Sequence, residues 1–160
     1  MDISLVNVTI PDGCNIILGQ THFIKTAEDL YEVIAGTVPG AQFGVAFAEA
    51  SGPCLIRTEG NDEGLVAACI ETLKAVDAGH VFCIYLRNAF PLNILNQIKS
   101  CPEVCRVFCA TANPLEVIVA SSGQGRGVLG VIDGASPKGV ETTADRKERK
   151  EFLRKIGYKL

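Results

Sequence analysis

Two periods take turns along this chain. Stretches in which apolar residues alternate with polar ones, or run together for five to eight positions, are followed by stretches in which they recur every three or four. Residues 4–10 alternate loosely, 11–13 form a turn, and 15–18 resume an apolar run, which predicts an opening hairpin. From Thr26 the period changes. Thr26 and Asp29 have the spacing of a capping box, Ala27, Leu30, Tyr31 and Ile34 make one stripe, and Gly36 ends the helix. Strands are predicted at 42–49 and 54–58, joined across a turn. A second helix, capped by Asn61 or Asp62, runs to about Val76 with Leu65, Cys69, Leu73 and Val76 facing inward. Residues 80–86 are continuously apolar, as in a strand buried on both faces. Pro91 suits the first position of a third helix, with Leu92, Leu95 and Ile98 inward. Strands at 104–112, 115–120 and 127–132 come next, then a helix at 144–156 whose Phe152, Leu153 and Ile156 are expected to dock on the body. The pattern predicts an α/β fold: residues 1–160 as a single layered domain with a mixed β-sheet covered by helices.

With 160 residues the chain can bury a sizeable core. Its 48% hydrophobic and 21% charged residues exclude wholesale disorder. Mean hydropathy is +0.25, yet no apolar run approaches the roughly 18 residues of a membrane span. The first residues lack the basic start and long apolar stretch of a signal peptide. We therefore expect a cytoplasmic protein with no membrane partner, and a homo-oligomer whose interface, rich in Val, Ile and Cys, takes up the surplus apolar surface.

Seven cysteines include no CxxC pair. Cys101, Cys105 and Cys109 lie four apart in a strand pattern, about 13 Å from one to the next, too far to share an ion. No metal site is expected. Net charge is −3, distributed unevenly: residues 146–159 hold seven basic and two acidic side chains, net +5, and the first 145 carry −8. A basic terminus can mark nucleic-acid binding, but the apolar stripe within it favours an amphipathic helix with a solvated charged face, so no nucleic-acid partner is expected.

Three polar segments interrupt the strand boundaries. In 19–23 (GQTHF), His22 stands between a strand end and a helix start, where it can serve as general base, metal ligand or phosphoryl acceptor, or simply as a surface cap. The segment 121–130 (SSGQGRGVLG) matches GxGxxG from Gly125 to Gly130. Residues 128–132 carry a strand pattern where a dinucleotide site needs a helix, which excludes such a site. An anion site survives, in which Gly123, Gly125 and Gly127 let backbone N–H groups converge and Arg126 grips phosphate oxygens; a plain glycine-rich hairpin is the alternative. The third set comprises polar strand ends, namely Glu49 to Gly52 with Ser51, Gly60 to Asp62, Thr111 to Asn113, and Asp133. If these gather at strand carboxyl ends, they line one crevice. His80 opens a strand and reads as structural.

No GxxxxGK[ST], protein-kinase motif set, HExxH or GxSxG occurs. The segments GQTHFIKTAEDLYE, FGVAFAEASG, GND, AGHVF, FPLNILNQIKSCPEVCRVFCATANPLEVIVA, GQGRGVLGVIDG and RKEFLRKIGYK together resemble the adenosine-specific kinase family, from Gln20 to Lys159. The resemblance implies a protein that binds adenosine or AMP, with no further cofactor. It also implies phosphoryl transfer through a phosphohistidine, which falls on His22. Gln20, Thr21, Glu49, Ser51, Asn113 and Asp133 are then the candidates for nucleoside contacts. A non-catalytic adenine-nucleotide sensor is the alternative reading.

Overall fold

A computed structural model describes residues 1–160. The strands are β1 (Asp2–Val8), β2 (Asn15–Thr21), β3 (Gln42–Ala48), β4 (Ile56–Gly60), β5 (Val81–Arg87), β6 (Val104–Thr111), β7 (Leu115–Ser121) and β8 (Arg126–Asp133). The helices are α1 (Thr26–Thr37), α2 (Glu63–Val76), α3 (Pro91–Lys99) and α4 (Thr143–Lys155). None is long and apolar enough to cross a membrane.

The α/β layered architecture is as expected; the strand pairing is not. In place of one mixed sheet there are two, a five-stranded sheet in the order β4-β3-β5-β2-β6 and a three-stranded sheet in the order β1-β7-β8, and every neighbouring pair is antiparallel. The opening hairpin does not form either: β1 pairs with β7, while β2 runs between β5 and β6. The reason lies in the residues. The apolar run of β2 needs cover on both faces and takes an interior position, whereas β1, polar at alternate positions, suits an edge.

Period-two alternation then splits the core. Ile17, Phe43, Val45, Phe82, Ile84 and Leu86 face α1 and α3, where Leu30, Ile34, Ile94 and Ile98 meet them. Ile16, Leu18, Ala46, Cys83 and Tyr85 face the other way, onto α2 and the inner residues Val117 and Val119 of the three-stranded sheet. Helix α2 lies so close on β3 that a Cβ added to Gly44 would sit 2.4 Å from the Leu65 and Val66 backbone. Asp62 caps α2 by accepting a hydrogen bond from the Leu65 amide at 3.0 Å.

Three local expectations change. Thr26 does not cap α1. It is buried, its hydroxyl donating to the Phe23 carbonyl, and Lys25 at the cap position pairs with Asp29 at 2.6 Å. Leu92 points outward, 66% exposed, and Ile94 takes the inward place. Helix α4 buries no residue: Phe152 is 58% exposed, and the basic face outweighs the short apolar stripe.

Candidate functional site

One edge of the five-stranded sheet collects most of the polar groups. Because neighbours are antiparallel, this edge consists of the carboxyl ends of β2 and β3 and the amino ends of β4, β5 and β6. Thr21 and His22 leave β2 here, Glu49 leaves β3, and His80 and Glu103 lead into β5 and β6. The backbone ties them together. The Thr21 amide donates to the His80 carbonyl at 2.9 Å, the His80 amide to Ala48 at 2.7 Å, and the His22 amide to Glu103 at 3.1 Å. The Arg126 end of the β7–β8 hairpin meets this edge from the side.

Two clefts open there. The larger, about 550 Å³, lies between Glu49, Ala50, Cys54, Asp77 and Gly79 on one side and the 120–127 hairpin end with Arg126 on the other. The smaller, about 280 Å³, is lined by His22, Phe23, Phe47, Ser51 and His80. Glu49 and Ala50 belong to both and form the wall between them. That wall is thin and fixed: a Cβ on Gly79 would come within 2.7 Å of Ala50 Cβ, so the two turns touch backbone to side chain. The larger volume falls within the range of small-molecule sites.

Glu49 holds its own turn together. One carboxylate oxygen accepts from the Leu55 amide at 2.8 Å and the other from Arg57 Nε at 2.9 Å, with Arg57 Nη2 also at 2.9 Å. The Leu55 amide first, and then the Arg57 guanidinium, hold this carboxyl below the ordinary range. Glu49 therefore shapes both clefts as a neutralised pair with Arg57. Thr21 is fully buried and likewise committed, its hydroxyl donating to the Glu103 carbonyl at 2.9 Å and lying 2.6 Å from the Thr26 hydroxyl. Gln20 is half-buried between Val81 and Arg106, just behind the clefts. His22 is exposed, its ring stacked beside Phe23 at 6.4 Å.

The glycine-rich turn is tighter than an open anion cradle. The Ser122 amide donates to the Gly125 carbonyl at 2.9 Å and the Gln124 amide to the Ser122 hydroxyl at 3.2 Å, so two of its N–H groups are already used. Gly125, Arg126 and Gly127 line the larger cleft; Gly123 stands at the tip with nothing within 4 Å of where a Cβ would be. The Arg126 guanidinium turns back, with Nη1 donating to the Ala75 carbonyl at 3.2 Å and Nη2 to Ser4 Oγ at 3.4 Å. Ala75 lies in the last turn of α2, where carbonyls lack helical partners and favour a cation. The Nε is buried without a partner.

Asn113 and Asp133 stand elsewhere. Leu115 pairs with Asp133 and Ser121 with Arg126, so they occupy the opposite end of the β7–β8 hairpin, roughly 20 Å along the strands from Arg126. There Asp133 accepts from Thr111 at 2.8 Å and from Asn113 at 3.1 Å, tying the two sheets together. Gly60 to Asp62 also fall on the far edge, where Asn61 bonds Phe43 and Ala41 and Asp62 caps α2. The crevice rule belongs to parallel sheets. In antiparallel ones, successive carboxyl ends point opposite ways.

The sequence reading took His80 as structural and passed over Glu103. His80 lines the smaller cleft with its backbone in the left-handed region, φ 61°, and its ring on Phe47 at 5.9 Å. Glu103, 2% exposed, accepts the His22 amide on its backbone carbonyl and has both carboxyl oxygens buried without a hydrogen-bond partner. Burial first, and Asp29 beside it, push its pKa up. No group of three or more His, Cys, Asp or Glu side chains is arranged to hold a metal ion.

The chain is similar to the PH1918 protein from Pyrococcus horikoshii OT3, known from a crystal structure, with 42% identity over 99% of this chain and 98% of that one and a TM-score of 0.95. No match exists among proteins with curated descriptions. A family model described as adenosine specific kinase matches residues 6–159, every element of the fold save the first residues of β1. The chain belongs to the adenosine-specific kinase family.

Proposed function

We propose that this protein binds adenosine or AMP at the two adjoining clefts, with the hydroxyl that becomes phosphorylated, and its phosphate, at the Glu49–Ala50 wall between Arg126 and His22. The observation that carries this reading is the shared wall, which puts an arginine and a histidine on either side of one thin partition. Family membership supports adenosine as the nucleoside. Arg126 is paired only with a carbonyl and a hydroxyl, both neutral, and so keeps its charge for an anion.

His22 is then the phosphoryl carrier. A nitrogen lone pair attacks the terminal phosphorus of a phosphoanhydride donor such as a nucleoside triphosphate, and the P–O bond to the leaving diphosphate breaks. The adenosine hydroxyl later attacks that phosphorus, the N–P bond breaks with its electron pair returning to the ring, and the hydroxyl proton passes to a base. The sensor reading has one observation in its favour: no carbonyl or carboxylate bonds the His22 ring to fix its tautomer, as a tuned nucleophile requires. Intact mass after incubation with a nucleoside triphosphate separates the two. Phosphoryl transfer predicts one added phosphate that His22→Gln abolishes while AMP affinity stays within about threefold. An unmodified wild type that binds AMP equally well gives the lead to the sensor.

The same reading includes a homo-oligomer. The outer face of the three-stranded sheet exposes Ile3, Leu5, Leu129 and Ile132, a patch suited to a second copy. Its residues are Ile and Leu. Five of the seven cysteines are buried, so the cysteine-rich interface expected from composition has no basis in this surface.

A further inference from the structure

We propose that His80 is a second imidazole of the site, touching the bound ligand and taking the proton from its attacking hydroxyl. This rests on the reading of the two clefts as one ligand site. The residue occupies the turn between α2 and β5, where it carries a backbone strain that glycine would relieve. The turn does contain a glycine, but Gly79 is spent on the close approach to Ala50. The left-handed position falls to a histidine instead, one of only two in the chain.

That histidine is held on three sides. Its amide is bonded to the end of β3 and its carbonyl to the end of β2, so its backbone joins the residues preceding Glu49 and His22. Its ring stacks on Phe47 at an interplanar angle of 24°, which fixes the ring plane. The ring nitrogens are bonded to no protein group and stay open to solvent, and the residue lines the same small cleft as His22. A ring held by stacking with a nitrogen open to the cleft can take a proton from a hydroxyl that comes within hydrogen-bond reach. In the transfer step the hydroxyl oxygen attacks the phosphorus on His22, the N–P bond breaks, and the hydroxyl proton moves to the free nitrogen of His80, leaving an imidazolium there and a neutral ring at His22.

Because the chain has two histidines, a single His22→Asn variant assigns both sets of imidazole ring resonances by NMR. AMP titrated into the wild-type protein is expected to shift the ring signals of His80 as well as those of His22. A His22 response with a silent His80 overturns this inference and leaves the cleft reading standing. A His80 response with a silent His22 supports His80 and counts against His22 as carrier. Silence from both rings while calorimetry records AMP binding overturns both. In His80→Asn, whose side chain tolerates the left-handed backbone, transfer from phosphorylated His22 to adenosine is expected to fall by about 10²–10⁴-fold with AMP affinity within about threefold. An unchanged rate in that variant refutes the proton-transfer role.

Discussion

In the proposed reading, recognition of the phosphate turns on Arg126. It is already oriented by the Ala75 carbonyl and Ser4, so an arriving phosphate finds the charge in place. Arg126→Ala is expected to weaken AMP by about 1.5–3 kcal/mol, as for a hydrogen bond to a charged group, and adenosine far less. Calorimetry with both ligands checks it, and equal losses would mean that Arg126 only shapes the cleft. Glu103 carries the other prediction at this scale. Its buried carboxyl holds a proton more tightly folded than unfolded, so the stability it contributes is full below the ordinary pKa of 4.5 and is lost as pH rises above it. Glu103→Gln removes the ionisation. Its unfolding free energy should match the wild type near pH 4 and exceed it near pH 8, read from urea denaturation at both values. A wild type whose stability rises over this interval relative to the variant contradicts the assignment.

Elements were legible where their residues face two environments. The stripe of α2, its Asp62 cap and the unbroken run of β5 read directly from spacing, because burial on one side or on both leaves a period. Partners were not legible. Nothing in the run of β2 says that it pairs with β5 and β6 instead of β1, since pairing joins residues more than sixty positions apart. The site suffered the same way. His22 and the Arg126 turn stood out by local chemistry and do line clefts at one end of the sheet, but Asn113 and Asp133 were assigned to the crevice by a rule that presumes parallel strands. His80 looked structural because a histidine opening a strand gives no sign of its φ or of the cleft before it. Helix α4 shows the limit of amphipathicity: Phe152 and Ile156 make a stripe, but a stripe does not supply the surface that covers it.

The whole molecule keeps its polar chemistry on one edge and its spare apolar surface on the outer face of the three-stranded sheet. The same β7–β8 hairpin carries Arg126 at its end and Leu129 and Ile132 along its second strand, so the proposed assembly would border the larger cleft. Sedimentation at micromolar concentration is expected to give a species heavier than the 17.0 kDa chain, and Leu5→Glu combined with Leu129→Glu should return it to monomer. A wild-type monomer would remove the assembly while leaving the clefts untouched.

One ligand spanning the Glu49–Ala50 wall between Arg126 and His22 is the proposal on which the others depend. A crystal structure of the protein grown with saturating AMP decides it. Phosphate oxygens are expected at the Glu49–Ala50 wall, within hydrogen-bond distance of Arg126 and facing His22. AMP seated instead in the groove between α1 and α3, or against Phe90 and Phe152, with the Arg126 cleft empty, would contradict it.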